Sequence, residues 1–395
     1  MPSPLEGITI LDFTRWQQGP FATVMLSDMG ADVLKVEERG HGDLGRALGA
    51  RPDGFCAYFE AHNRNKKSIT LDLQKAEGRK IVCQLVERMD VVVENFRPGV
   101  MERLGLGYQE LKKVNPRIIM ASASGFGQSG PDARRPSYDV IGQAMGGMMM
   151  AQGGPGGEPQ LITGGFADHV GAMFLAFGIA MALIARERFG VGQYVDSSLL
   201  GGQIAFQAMG YIRALNMEPV DTQRAVRAGA NPLFRAYKCS DGKWVALGVL
   251  DPKVYPALTR ALGKPELAVD PRFAEPFARF QNGQELKDEL AAIFATATRG
   301  EWLQRLRDHD VPTGPVYDMR EAAEDPQVLA NGYVQEIPHP LLGTIRVPGP
   351  PAQLSETPAR IRSAAPELGQ HTEETLLLLG YTWEEIEGLR EREVI

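Results

Sequence analysis

Cysteine is scarce in this chain: Cys56, Cys83 and Cys239 are all it has in 395 residues. That argues against a disulfide framework or a thiolate metal cluster and fits a reducing compartment. The six histidines have no ligand-like spacing, and neither an HExxH pair nor a GxSxG elbow occurs, so metal and serine-hydrolase chemistry lack support. Long apolar runs are missing too. The longest uncharged one, His169 to Ala185, is shorter than the roughly 20 residues a bilayer span needs, and Gly171 and Gly178 interrupt it. The opening MPSPLEGITILDF has no basic stretch ahead of an apolar signal core. The expectation is a cytoplasmic protein with no membrane partner. Basic residues are not in excess either: the net charge is −7, which makes nucleic acid a poor partner.

What is present is an ordinary globular composition, 44% hydrophobic and 23% charged, at a length that favours two domains. Short β-branched runs alternate with helical patterns over the first 125 or so residues. Strands are expected at Ile8–Asp12, Val33–Glu37, Val91–Glu94 and Ile118–Ala123, and helices at Phe21–Met29 and Ala76–Arg88. Strands this continuously apolar are buried on both faces, which predicts an α/β fold with a parallel sheet. Ligands on such sheets sit outside the carboxyl ends of the strands. This singles out Thr14–Pro20, Glu38–Arg46, Asn95–Arg103 and Ser124–Pro131. A glycine-rich stretch at 153–165 precedes an apolar helix at Asp168–Arg186, and another helix is expected at Leu199–Leu215. A hairpin is expected at Tyr237–Cys239 and Trp244–Val249, around Asp241-Gly242, whose two turn positions both want positive φ. Helices follow at Pro252–Leu262, Glu285–Thr298 and Glu301–His309, and a tail pair at Thr372–Leu379 and Trp383–Glu391. The expected domains are a large one over 1–200, a linker over 201–232, a small α+β domain over 233–310, a Pro/Gly-rich linker over 311–351, and a tail over 352–395 that returns to the large domain.

Gly125-Phe-Gly127-Gln-Ser-Gly130 matches GxGxxG, but Pro131 and Pro136 follow where a dinucleotide fingerprint must open a helix, so nicotinamide binding is disfavoured. Asp168 stands just before a long apolar helix. On residues alone an N-cap is the favoured reading. The alternative is a nucleophile: the helix dipole would keep the carboxylate ionised, and Gly164-Gly165 would let a bulky substrate come close. His169 reads as a first-turn helix residue, because adjacent helical side chains diverge by about 100°.

Several separated segments together resemble one family. They are PLEGITILDFT (Pro4–Thr14), GPFATVMLSDMGADVLKVE (Gly19–Glu37), NRNKKSITLDL (Asn63–Leu73), VENFRPGVMERLGLGY (Val93–Tyr108), GFGQSGP (Gly125–Pro131), ADHVGAMFLAFGIAMALIARERFGVGQYVD (Ala167–Asp196) and LGQHTEETLLLLGY (Leu368–Tyr381). The chain resembles the class III CoA-transferases, in order and over nearly its whole length. The resemblance implies a Rossmann-like large domain with a smaller α+β domain, in an interlocked homodimer. It implies Asp168 as the nucleophile that carries an anhydride and then an aspartyl-CoA thioester, with Gln17 nearby. No permanently bound cofactor is implied; coenzyme A and acyl-CoA are substrates, beside small carboxylic acids. By resemblance the CoA slot draws on Leu71, Asn95, Phe96 and Val100, with charge from Arg97 and Arg103. Arg39 stands one position after the arginine relatives often have, and Arg46 reaches either a phosphate or Asp43. The racemase branch of the family needs a histidine after GFGQSGP, where this chain has Pro136-Ser137-Tyr138-Asp139. Racemisation and non-catalytic CoA binding are the rival readings. Wider similarity, including PQVLANG (Pro326–Gly332) and HPLLGTIRVPGP (His339–Pro350), points to dicarboxylic donors such as succinyl-CoA.

Overall fold

The computed structural model describes residues 2–154, 156–218 and 231–395. Contacts divide the chain into a larger unit (Met1–Gln152, Pro159–Leu215, Leu329–Ile395) and a smaller one (Gly153–Glu158, Asn216–Val328).

The larger unit is built on β1 (Thr9–Asp12), β2 (Asp32–Glu37), β3 (Lys67–Thr70), β4 (Val91–Glu94), β5 (Ile119–Ser124) and β6 (Tyr194–Ser198). All pair in parallel, in the order β3-β2-β1-β4-β5-β6. Its main helices are α1 (Gln18–Asp28), α2 (Ala57–Asn63), α3 (Ala76–Val86), α4 (Val100–Arg103), α5 (Tyr108–Val114), α6 (Asp139–Met145), α7 (Met148–Gly153), α8 (Phe166–Phe189), α9 (Leu199–Phe206) and α10 (Ala208–Asn216). Side chains alternate across a strand. Accordingly Leu11, Leu34, Val92 and Met120 join one core with α3, α5 and the tail helices Thr372–Leu378 and Trp383–Glu391. Ile10, Val33, Val91, Val93 and Ile119 join the other core, with α1 and α8. The strands read as unbroken apolar runs because both faces are covered. β3 and β6 escaped the sequence pattern: each is a sheet edge, and KSIT and YVDSS are mostly polar.

Helix α8 is long and apolar enough, by length and composition alone, to cross a membrane. One of its faces, Ala172, Leu175, Ala176, Ile179 and Leu183, is nevertheless protein core. The helix expected over Leu199–Leu215 breaks into α9 and α10, so the segment expected as a linker over 201–232 opens with helix; residues 219–230 lie outside the described ones.

In the smaller unit β7 (Phe234–Lys238), β8 (Trp244–Gly248) and β9 (Thr313–Val316) form an antiparallel sheet over a core of Tyr237, Val245, Leu247, Phe294 and Trp302. The expected hairpin forms with a different turn. Cys239 N–H donates to Lys243 at 2.8 Å, leaving three loop residues of which Gly242 alone has positive φ (77°). That is a type I turn closed by a left-handed glycine, not one in which Asp241 also goes left-handed. The stretch 311–351 is also more regular than expected. It holds β9, short helices at Met319–Ala323 and Pro326–Ala330, and a ribbon in the larger unit of β10 (Val334–His339) and β11 (Gly343–Pro348). Its prolines misled the pattern because Pro315, Pro338 and Pro348 all lie in edge strands, where a missing N–H is tolerated.

Below the carboxyl ends of β1, β2 and β3 lies a closed set of charges: Lys35, Lys66 and Arg46 against Asp12, Glu37 and Asp43. Lys66 bonds Asp12 (3.0 Å), the Asn63 side chain and the Pro20 carbonyl, and Lys35 bonds Asp43 (2.9 Å) and the Thr14 carbonyl (2.6 Å). Arg46 grips Glu37 through two contacts of 2.6 and 2.8 Å. Burial alone would raise the Asp12 carboxyl, but Lys66 and Lys35 override it and hold it at about 2; burial pushes Lys66 down to about 8. Removing one partner of a fully buried pair typically costs about 3–5 kcal/mol. Lys66→Met is therefore expected to destabilise the protein by about 3 kcal/mol in chemical unfolding, with Asp12→Asn/Lys66→Met recovering part of that loss.

Candidate active site

Strand order reverses between β1 and β4, and the chain leaves these two strands in opposite directions. A crevice must open there. It is a cavity of about 220 Å³, lined by Arg15, Trp16 and Gln17 after β1, by Asn95, Phe96 and Arg97 after β4, and by Ser124, Arg135, Tyr138 and Asp168 among others. A larger groove of about 890 Å³ opens at the amino ends of β2 and β3. Its exposed cations are already engaged: Lys67 with Glu374, Arg88 with the Leu378 carbonyl, Arg362 with the carbonyls of Ser27, Gly30 and Ala31. The smaller cavity brings Arg15, Arg97 and Arg135 around the Asp168 carboxyl group at the carboxyl ends of the strands, where a ligand is expected.

The loop after β1 is pinned from below and from the side. Asp12 accepts from the Thr14 N–H and hydroxyl, Asp43 accepts from the Trp16 N–H at 3.1 Å, and the Asn95 amide bonds both the N–H and the carbonyl of Arg15 (2.8 and 2.7 Å). These bonds hold Trp16 in the left-handed region (φ 65°), where a bulky side chain is strained. Gln17 follows directly. Its Nε2 donates to the Gly164 carbonyl at 3.1 Å and lies 3.4 Å from both ring nitrogens of His169. Gly165 must be glycine: its φ is 74°, and a Cβ there would lie 1.9 Å from Gln17 Nε2.

Asp168 sits in the first turn of α8, half-buried. It is not the N-cap. Gly165 holds that position, and the orphan N–H groups of Ala167 and Asp168 are taken by Asp139 Oδ1 from α6, at 2.6 and 3.1 Å. The Asp168 carboxylate has no hydrogen-bond partner among the described residues and faces the cavity. Burial and the Asp139 charge push its pKa up to about 7, the reverse of the acidification expected from the helix dipole. His169 packs edge-on against Phe21 at 4.2 Å and stacks on His62 at 5.7 Å, which fits a packed first-turn residue; burial lowers both imidazoles, His62 to about 4.

Of the other residues singled out in the sequence, the structure brings Gln17, Asn95, Phe96 and Arg97 to the same cavity as Asp168. Val100 and Arg103 lie on α4 just beyond, with Arg103 exposed. Three others are elsewhere. Leu71 is sealed in the core at 2% exposure, so its side chain lines no slot. Arg46 is committed to Glu37, not to Asp43, and stacks 3.8 Å over Phe59. Arg39 pairs at the surface with Glu393. Sequence reasoning missed Arg15, Arg135, Tyr138 and Asp139 as cavity or helix-capping residues. Arg15 fell inside a stretch singled out by the strand-end rule, whereas nothing local marks Asp139 as the cap of a helix some 27 residues on. The GxGxxG glycines form no phosphate loop, since the next helix begins only at Asp139.

The family profile described as CoA-transferase family III matches residues 5–372. The chain is 40% identical over 357 residues to the acetyl-CoA:oxalate CoA-transferase of Acetobacter aceti, covering 89% of each. It is 37% identical over 404 residues to the succinyl-CoA–D-citramalate CoA-transferase of Chloroflexus aurantiacus, covering 100% of this chain and 98% of the relative. A CAIB/BAIF family protein from Brucella suis superposes with a TM-score of 0.83 at 34% identity, covering 96% of this chain and 100% of that one. A sheet that opens at its switch point, a carboxyl group facing the opening, and likeness along the whole length all lead to one assignment: the chain belongs to CoA-transferase family III.

Proposed function

We propose that the enzyme moves CoA from a dicarboxylic acyl-CoA such as succinyl-CoA to a carboxylic acid, through covalent intermediates on Asp168. The observation that carries this reading is the unpartnered, half-buried Asp168 carboxylate in the crevice between β1 and β4. A carboxylate free of hydrogen bonds and partly desolvated is a competent nucleophile. One of its oxygens attacks the thioester carbonyl, and the C–S bond breaks to give a mixed anhydride and CoA thiolate. The thiolate then attacks the Asp168 carbonyl carbon, the donor acid leaves as carboxylate, and an aspartyl-CoA thioester remains. The acceptor carboxylate enters by the reverse steps and restores Asp168. Gln17, anchored through its Nε2, shares the cavity with Asp168 and is assigned to the reacting group. Asn95, Phe96 and Arg97, with Val100 and Arg103 beyond them, are assigned to CoA, whose phosphates suit guanidinium groups. Arg39 could join them only by giving up Glu393, an exposed pair worth little; Arg46 and the Leu71 side chain are not assigned to CoA. Gly164 and Gly165 at the start of α8 are the candidates for shielding the intermediates. Arg15 and Arg135 on the cavity wall hold exposed pairs with Glu38 and Asp132 (3.2 and 2.8 Å), which are worth little; exchanging those partners would let them bind an acyl group with a second carboxylate, in keeping with the citramalate and oxalate relatives.

The working form is proposed to be an interlocked homodimer. Met173, Phe174, Phe177, Met181 and Ile184 form an exposed apolar face along α8, and Phe206 and Met209 continue the exposed apolar surface on α9 and α10. A face of that composition calls for a partner. Light scattering is expected to give twice the 43.2 kDa chain mass, and Phe177→Glu to weaken that association.

Incubation with succinyl-CoA and pooled acids, read by mass spectrometry, is expected to show new acyl-CoA species and a hydroxylamine-sensitive adduct at Asp168. Asp168→Ala is expected to lose both, with turnover down by at least about a thousandfold; activity persisting in that variant would falsify the mechanism. Racemisation would instead bring solvent deuterium into the α-carbon of a 2-methylacyl-CoA, and a binding protein would turn nothing over. Because attack needs the ionised form, the rate of adduct formation is expected to rise with pH through about 7. The same raised pKa means that ionising Asp168 costs stability as pH climbs from about 4 to about 7. The thermal-stability gain of Asp168→Asn over wild type should therefore widen between about pH 5 and about pH 8.

A further inference from the structure

We infer that Asp139 is a positioning residue for the nucleophile: by capping α8 with a charged carboxylate, it orients Asp168 and keeps that group poised for acylation. This rests on the reading of Asp168 given above. The cap itself needs only an acceptor oxygen at that reach, and Asn, the same length as Asp, would supply one to the N–H groups of Ala167 and Asp168. An aspartate adds a negative charge at the one helix end whose dipole would otherwise favour an ionised, weakly reactive Asp168. The geometry is specific. Oδ1 of Asp139 takes both amides, at 2.6 and 3.1 Å, while its Oδ2 accepts from Gln143 Nε2 at 2.7 Å. Gln143 is buried and also bonds both backbone groups of Ile162, so α6, the segment leading into α8, and the α8 N-terminus are locked together.

The charge has a chemical consequence. Asp168 is anionic before it attacks and neutral as an anhydride or thioester, the negative charge having left with the CoA thiolate or the departing carboxylate. The repulsion from Asp139 therefore acts on the free carboxylate and vanishes in each covalent intermediate, which favours acylation. Other charged and titratable groups near Asp168 act alongside. Arg15, Arg97 and Arg135 line the cavity, the first and last paired with Glu38 and Asp132, Tyr58 of α2 feels the Asp168 charge, and burial lowers the His169 imidazole on the same helix against the opposing pull of Asp139. Among these neighbours Asp139 supplies the negative charge.

The test uses Asp139→Asn, which keeps an acceptor oxygen and removes the charge, with Asp139→Gln as a second neutral acceptor if the first folds poorly. Two readouts are taken on the full chain across about pH 5 to about pH 9: the rate of adduct formation at Asp168, and carbodiimide labelling of Asp168 without substrate. Both variants are expected to shift the acid limb of the rate, and the labelling, to lower pH by about one unit, so that well below the limb the fraction of plateau rate rises about tenfold. The amount of aspartyl-CoA at equilibrium should fall relative to wild type. A folded variant whose pH profile and adduct level match wild type would overturn the inference and leave Asp139 a cap only. If wild type labels with the expected pH dependence yet forms no adduct, the nucleophile reading fails instead.

Discussion

Two lysines with no access to water, Lys35 and Lys66, set the terms for the catalytic end of this sheet. Buried cations are tolerable only with anions at bonding distance, so Asp12, Asp43 and Glu37 must converge beneath the ends of β1, β2 and β3. The cluster does more than neutralise itself. Through the Thr14 carbonyl and the Trp16 N–H it draws down the loop after β1, which accepts a left-handed tryptophan as a result. Gln17 is then held against Gly165, and the approach to Asp168 is shaped from the floor up.

Asp12 and Asp168 show how one residue type is driven to opposite ends. Both are partly or wholly desolvated, and desolvation alone raises a carboxyl pKa. Asp12 has two lysines and two threonine hydroxyls around it and falls to about 2, whereas Asp168 has an unpaired carboxylate and Asp139 nearby and rises to about 7. The first is permanently charged and structural. The second can change charge at modest cost, which suits a group that becomes covalently modified and is released again.

How far the sequence could be read followed from where each feature gets its stability. The central strands were legible because burial on both faces leaves a continuous apolar signature. The edge strands β3 and β6 were not, since one side of an edge is free and most of their residues are polar. The prolines of 311–351 looked like breakers, yet each strand proline sits where no ladder N–H is required. At the site, the strand-end rule reached Gln17, Asn95, Phe96 and Arg97 but could not show that Arg46 would be consumed by Glu37 or that Leu71 would be sealed in the core. Those outcomes depend on neighbours distant in the chain.

The sequence by itself determined the α/β class, the strand ends at which a ligand must sit, and, through its ordered family segments, membership among the CoA-transferases. These are local or pattern properties: hydrophobic period, turn chemistry and motif order survive without coordinates. Only the tertiary structure decided what Asp168 is free to do. On sequence alone the carboxylate was better explained as the cap of its own helix, and it is released from that task because Asp139, from a different helix, accepts those two amides. A capping assignment made across nearly thirty residues is a fact about folded distance, and periodicity and motif order do not report it.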